Sequence, residues 1–495
     1  MKKLFFTTVL IAVLTTSYSQ FNPDFRRHYW LNETSYNYTL SYPTPNPNGK
    51  WLLAAARQDL KNNPNKYRNT IAVFRLDNAY NLVGNVRVIG YPGTGNNFST
   101  DVDFDVHCIV ESCNNDAATG VTHVIICGAK RNSGIPSTQV GVVIVLDANS
   151  LNPISIREYP SVRNFYSVYA ENGRYYVCGQ TTNWEGVVLQ DNILTTSPTG
   201  FVTNEQWDYH KIKVRANPCS STFSVSGSNK TTEGTSTEIG YTVFNTGGSS
   251  GSLTYGASYK FHVNPPIINS KAVIANYPGP ASQGVILSVS DASYIYTYLI
   301  GNYSTPTPPT NSAFRLPCQD GILEDVDCGQ NPRKIAWVGN IINTAARKAY
   351  YVTLNLPTSF PPIPSPPPPS PFPATPATFY YFNPSPISAN AYYSLHKVLY
   401  DKQDAQFHAG GYYNSDTNNK ATFVVTPERS PVECHKIEDC IMSIEHDIPD
   451  PHPFDLRNYD VEVVSFPPIC KEYKFCEMDC LDDEDIRFRG NRIKK

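Results

Sequence analysis

Short apolar runs recur along almost the whole chain, separated by Gly, Asn, Pro and Ser. Helical spacing of apolar residues is nearly absent, and the runs are rich in Val, Ile, Tyr and Phe. That pattern predicts strands throughout. A two-strand unit recurs, its first strand ending in a small residue, usually Gly. Six copies pair Trp51–Ala56 with Thr70–Asp77, His123–Gly128 with Gly141–Asp147, Arg174–Gly179 with Gly186–Asp191, Lys271–Ala275 with Gly284–Val289, Lys334–Gly339 with Lys348–Leu354, and Ala405–Gly410 with Lys420–Val425. Further strand candidates precede most units (Asn37–Ser41, Asp105–Val110, Phe165–Tyr169, Tyr259–Val263, Tyr393–Val398). Others follow them (Asn85–Ile89, Pro153–Arg157, Tyr294–Tyr298).

Three or four antiparallel strands repeated six times predict an all-β, six-unit β-propeller-like body. Inner strands buried on both faces read as continuous apolar runs, and small residues at their ends let backbones crowd toward a central channel. Unit spacing exceeds the roughly 40–50 residues of a compact blade, so insertions are expected. Tandem β-sandwich domains are the alternative. In layout, residues 36–430 resemble secreted β-propeller-type repeat proteins, a resemblance of pattern that carries no family residues across.

Two segments break the pattern. Residues 192–257 are rich in Ser, Thr, Gly and Asn and read as a decorated loop or small β insertion. Residues 357–377 hold eleven prolines. Such a run favours extended polyproline II and reads as a linker or a stiff projecting loop. The division expected is residues 1–19 as a signal peptide, 20–430 as the propeller-like body with those two interruptions, and 431–495 as a Cys-rich tail.

The export signal rests on Lys2-Lys3, the apolar run Leu4–Leu14 and small residues at Ser17 and Ser19, with cleavage expected after Ser19. The run is too short for a permanent bilayer anchor, and no transmembrane segment is expected after cleavage. An exported chain can oxidise its 12 cysteines. Close spacing suggests Cys108 with Cys113, Cys318 with Cys328, and Cys434 with Cys440. Cys470, Cys476 and Cys480 form a terminal cluster that needs a partner such as Cys219; a zinc site is the competing reading there. Cys127 and Cys178, inside apolar strands, read as buried small hydrophobes. Charged residues are 17% and the formal net charge is −3, which leaves no basic footprint for nucleic acid.

Chemistry-bearing motifs are sparse. Asp101, Asp103 and Asp105 alternate along one strand face, which fits either a Ca²⁺ site or a solvated edge. His446, Asp447, Asp450, His452 and Asp455 suit a metal or a polar loop. Phosphate loops and zinc-protease helices are missing. A glycosidase needs only two spaced carboxylates and leaves no short motif. The chain has 33 Tyr, many outside the apolar runs, and Tyr suits protein or sugar recognition as well as strands. Acceptor patterns for N-glycosylation occur at Asn32, Asn37, Asn97, Asn229 and Asn302. The expectation is a secreted or cell-surface, non-enzymatic binding or adhesion protein whose partner is an extracellular protein or glycan. The alternatives are a self-associating matrix or filament subunit and a propeller glycoside hydrolase.

Overall fold

A computed structural model describes the chain from Arg26 to Asp479, apart from connecting segments of which 357–375 is the longest. The expected export signal, Cys219, Cys434 and Cys480 lie outside the described residues.

The described residues form seven five-stranded antiparallel sheets. Sheet I holds Tyr36–Pro45, Leu52–Leu60, Thr70–Leu76 and Leu82–Gly90. Sheet II holds Val102–Glu111, His123–Asn132, Ile135–Asp147 and Pro153–Tyr159. Sheet III holds Val162–Glu171, Arg174–Thr181, Glu185–Asn192 and Thr199–Gln206. Sheet IV holds Asp208–Val214, Thr222–Ser228, Thr235–Asn245 and Thr254–Ile268. Sheet V holds Val273–Asn276, Val285–Ser290, Tyr294–Ile300 and Thr310–Pro317. Sheet VI holds Gly321–Gln330, Arg333–Asn343, Ala346–Asn355 and Pro376–Phe382. Sheet VII holds Tyr392–Asp401, Gln406–Asn414 and Lys420–Val425, and its fourth strand is the early segment Arg26–Leu31.

No sheet closes on itself; the sheets close as a ring. The first strand of each packs on the first strand of the sheet before it, and the first strand of sheet I packs on sheet VII. This is a β-propeller layout. Its core is a set of apolar layers between neighbouring sheets, which explains the continuous apolar runs. In His123–Asn132, Val124 and Ile126 pack toward sheet I while Ile125 and Cys127 pack toward sheet III. Both faces of the strand are buried, so alternation vanishes.

The six-unit expectation is corrected to seven sheets. The segment read as an insertion, 192–257, supplies the outer strand of sheet III and most of sheet IV. Hydroxyl side chains alternate with apolar ones at its buried positions, as Ser224 and Ser226 do with Phe223 and Val225. Ser226 and Thr242 are fully buried; Ser226 Oγ donates to Ala272 O at 2.7 Å, and Thr242 Oγ1 lies 2.8 Å from Tyr209 Oη. A hydroxyl with a partner is tolerated in a core, so a blade can be built without a continuous apolar run. The proline run falls within one sheet. It joins the third and fourth strands of sheet VI rather than separate units, and Pro376 itself begins a strand.

The expected tail takes part in the sheets. It supplies the fifth strand of every sheet, in reverse ring order: His435–Ile441 to VI, Ser443–Glu445 to V, His452–Pro453 to IV, Leu456–Tyr459 to III, Val464–Phe466 to II, Ile469–Tyr473 to I and Phe475–Asp479 to VII. It is a belt around the ring.

Two expected disulfides are not formed. Cys108 is a thiol, buried between sheets II and III, while Cys113 packs in the layer between III and IV. Cys328 is a thiol near the far end of Gly321–Gln330, whereas Cys318 sits beside the start of that strand, where Gly321 N donates to its carbonyl. A rise of about 3.3 Å per residue along the intervening strand keeps the two beyond disulfide reach. Cys470 is also a thiol, packed against the layer between sheets I and II. The side chains of Cys440 and Cys476 lie outside the described residues. Cys127 and Cys178 are buried thiols as expected, and burial pushes both well up in pKa.

Candidate functional site

The inner strand of a propeller sheet sends its side chains toward the two neighbouring sheets, and only its backbone edge faces the channel. Here bulges change that. In sheets II, III, IV, VI and VII the pairing of first and second strands shifts by one residue, leaving His107, Tyr166, His210, Glu324 and His396 unpaired. An extra residue of this kind is re-aimed away from both sheet faces. The phase of burial flips across each bulge. Val106 and Ile109 pack in one layer, as do Phe165 and Val168, Tyr209 and Ile212, Leu323 and Val326, and Leu395 and Val398. Three-residue spacing within a strand is possible only if one residue between them leaves the pleat.

A glycine on the second strand faces each bulge. A Cβ on Gly128, Gly179, Gly227, Gly339 or Gly411 would stand 1.8, 1.8, 2.4, 2.1 or 1.7 Å from the carbonyl oxygen of Asp105, Asn164, Asp208, Ile322 or Ser394. Each of those carbonyls belongs to the residue two before the bulged one.

The five bulged side chains and Lys271, just ahead of the first strand of sheet V, form a ring around a cavity at the channel end where the first strands begin. His107 and Tyr166 lie with ring centroids 5.1 Å apart, and Tyr166 and His210 5.9 Å apart. Asn164 Nδ2 lies 3.1 Å from His107 Nε2. Ala272 N donates to His210 Nδ1 at 3.0 Å, which leaves the proton of a neutral ring on Nε2. Across the ring, Lys271 Nζ donates to Glu324 Oε2 at 2.5 Å. His396 Nδ1 stands 3.8 Å from the same oxygen, and its Nε2 lies 2.9 Å from Ser394 Oγ.

The residues after the bulges plug the channel, making it a cup. Lys211 Nζ donates to Asp325 Oδ1 at 2.5 Å and to the Val326 carbonyl. Lys397 Nζ stands 3.5 Å from Asp325 Oδ2, which also accepts from Val398 N at 3.1 Å. Lys213 and Asp327 pair beneath at 2.5 Å. Burial lowers the Lys211 pKa more than Asp325 raises it. For Lys397, burial acts the same way, but the Asp325 charge outweighs it and the pKa rises. Burial would raise Glu324, yet Lys271 and His396 together bring it down to about 2. Burial, with the charge of Asp208, raises the Tyr166 hydroxyl above its ordinary range.

The expected metal residues are elsewhere. Asp101 is exposed, ahead of its strand; Asp103 is buried, 3.4 Å from Arg131 Nε; Asp105 is half-buried. Among the described residues no three His, Cys, Asp or Glu side chains gather to hold a metal ion. In the belt, His452 and Asp455 are exposed, while His446, Asp447 and Asp450 lie outside the described residues.

The cup residues were missed in the sequence, although His107, Tyr166 and His396 fall inside strands identified there. The available signal was a recurring pair of apolar residues three apart: Val106-His-Cys-Ile109, Phe165-Tyr-Ser-Val168, Tyr209-His-Lys-Ile212, Leu323-Glu-Asp-Val326 and Leu395-His-Lys-Val398.

No protein-family model matches the chain, and no curated protein matches it. Solved structures similar to it include the Dos1 propeller, with a TM-score of 0.41 and 11% identity over 85% of this chain and 95% of that one. A prolyl endopeptidase has a TM-score of 0.41 and 12% identity over 83% of this chain, which spans about half of the endopeptidase (49%). The β-propeller domain of the Trilobed protease from Pyrococcus furiosus has a TM-score of 0.36 and 8% identity over 81% of this chain and 97% of that domain.

Proposed function

We propose that the protein is an exported, non-enzymatic binding protein that receives its partner, an extracellular glycan or protein, at the mouth of the cup. One observation carries the reading. Five separate bulges, each with its facing glycine, aim polar and aromatic side chains at one cavity. Bulges interrupt strand pairing, and they concentrate where a side chain must be re-aimed.

The acids of the cup favour binding over hydrolysis. A glycosidase needs one carboxyl held protonated near neutral pH. Glu324 is held by Lys271 and His396 with a pKa of about 2, and Asp325 is shared by two lysines. Glu324 is therefore an anchor for cations rather than a proton donor. Among the described residues no helix is long and apolar enough to cross a membrane.

The test is retention of targets by the chain from Gln20 on a glycan array and an immobilised extracellular-protein panel. His396→Ala and Tyr166→Phe should weaken the retained target at least tenfold without changing the circular dichroism spectrum. Retention that ignores both substitutions, or no retention at all, overturns the reading.

A further inference from the structure

A second aromatic feature stands on the cup face and lies outside the ring. The hairpin between the second and third strands of sheet III places Trp184 beside the start of Val162–Glu171, since Thr182 N donates to Ser161 O. Trp184 is 41% exposed. Its backbone has φ of 67°, the left-handed region that a bulky side chain rarely enters. The hairpin holds it there. Thr181 Oγ1 accepts from Asn183 N and Glu185 N, Trp207 N donates to Trp184 O, and the belt's Arg457 pairs with Glu185.

The ring of Trp184 is covered on one side by Arg163, whose guanidinium carbon lies 3.9 Å from the ring centroid. Arg163 is in turn oriented by Gln139 Oε1, 3.4 Å from its Nε. The exposure of the side chain leaves the rest of the indole to solvent. Arg163 precedes Tyr166 by three residues on one inner strand, roughly 10 Å at the rise of a strand. The platform is therefore at the rim of the cup.

Backbone strain maintained by surrounding contacts, on an exposed aromatic, marks a site where the side chain's position matters more than local stability. A flat ring stiffened by a guanidinium offers a stacking face for a pyranose, and the imidazoles, ammonium, phenol and carboxylate of the cup suit ring hydroxyls. We infer that Trp184 and Arg163 form a stacking subsite for one sugar ring of a glycan that also rests on the mouth of the cup. This rests on the cup being the binding site and names a glycan as the partner.

The test uses the full chain from Gln20, titrated with chitohexaose, cellohexaose, xylohexaose and hexagalacturonate, and followed by calorimetry and tryptophan fluorescence. At least one oligosaccharide should bind and shift the emission. Trp184→Gly, which relieves the left-handed backbone, should weaken that binding at least tenfold with a thermal midpoint equal to or above that of the parent. Trp184→Phe should lose less. Binding kept by Trp184→Gly but lost by His396→Ala overturns the platform and leaves the cup reading intact. A lowered midpoint in Trp184→Gly shows a structural role and overturns the platform too. A panel that binds nowhere overturns the glycan assignment, and a protein partner at the cup then becomes the account.

Discussion

At the residue scale, the cup depends on atoms that are absent. Gly179 allows the Asn164 carbonyl to come where a Cβ would stand, and the bulge that aims Tyr166 follows from that approach. Gly179→Ala must therefore push the bulge aside or open the pairing. Overpacking of this kind costs roughly 1–3 kcal/mol. Gly256→Ala is the contrast, because its Cβ would meet nothing closer than 3.7 Å. That change should be neutral or stabilise by up to about 1 kcal/mol through the unfolded chain. Urea denaturation of both variants checks the pair, and equal midpoints would refute the role assigned to the glycine. Part of this was legible beforehand. Apolar runs ending in Gly128, Gly179 and Gly339 were visible, and crowding toward a channel was the reason attached to them. The specific neighbour was not, since a bulge is a relation between two strands and leaves only a skipped beat in one. The polar residues it aims look, in sequence, like ordinary solvated positions.

At the element scale, the belt is the feature that sequence pattern hid most completely. Its shortest strands, two residues at His452–Pro453 and three at Val464–Phe466, fall below the length at which periodicity can be read. Its anchors are single side chains. Leu456 is buried, Phe454 lies 5.2 Å from Trp207, and Phe466 lies 5.6 Å from Tyr91. What the belt does physically is pair an outer edge in every sheet. An unpaired edge is a template for another chain. Ending the chain at Thr426 should therefore leave seven open edges and produce self-association at micromolar concentration, seen by light scattering, with a lowered thermal midpoint. A truncated chain that stays monomeric with the parent midpoint would show that the edges need no cover. The expected filament or matrix behaviour would thus belong to the shortened chain, while the intact belt opposes it.

At the scale of the whole molecule, the ring form was legible and its count was not. Repeated strand pairs imply stacked sheets, but in sheet IV Ser, Thr and Gly interrupt the apolar runs, and sheet VII takes its fourth strand from Arg26–Leu31, far away in sequence. The ring also has two unlike faces. First strands begin at the cup face, so the hairpins between second and third strands, with Trp184, lie there as well. Connections from third to fourth strands emerge on the other face. In sheet VI, Leu356 N donates to Arg333 O, and Arg333 is the partner of Gln330 at the far end of the strand that carries Glu324. The proline-rich connection thus leaves and re-enters the ring opposite the cup. A partner at the cup and the proline connection would then occupy opposite faces. Replacing residues 358–375 with a short Gly-Ser linker should then leave affinity at the cup within twofold of the parent, with an unchanged thermal midpoint, when measured against whichever target the array identifies. Loss of cup affinity in that variant would mean that the connection reaches the other face, and the separation of the two faces would fall.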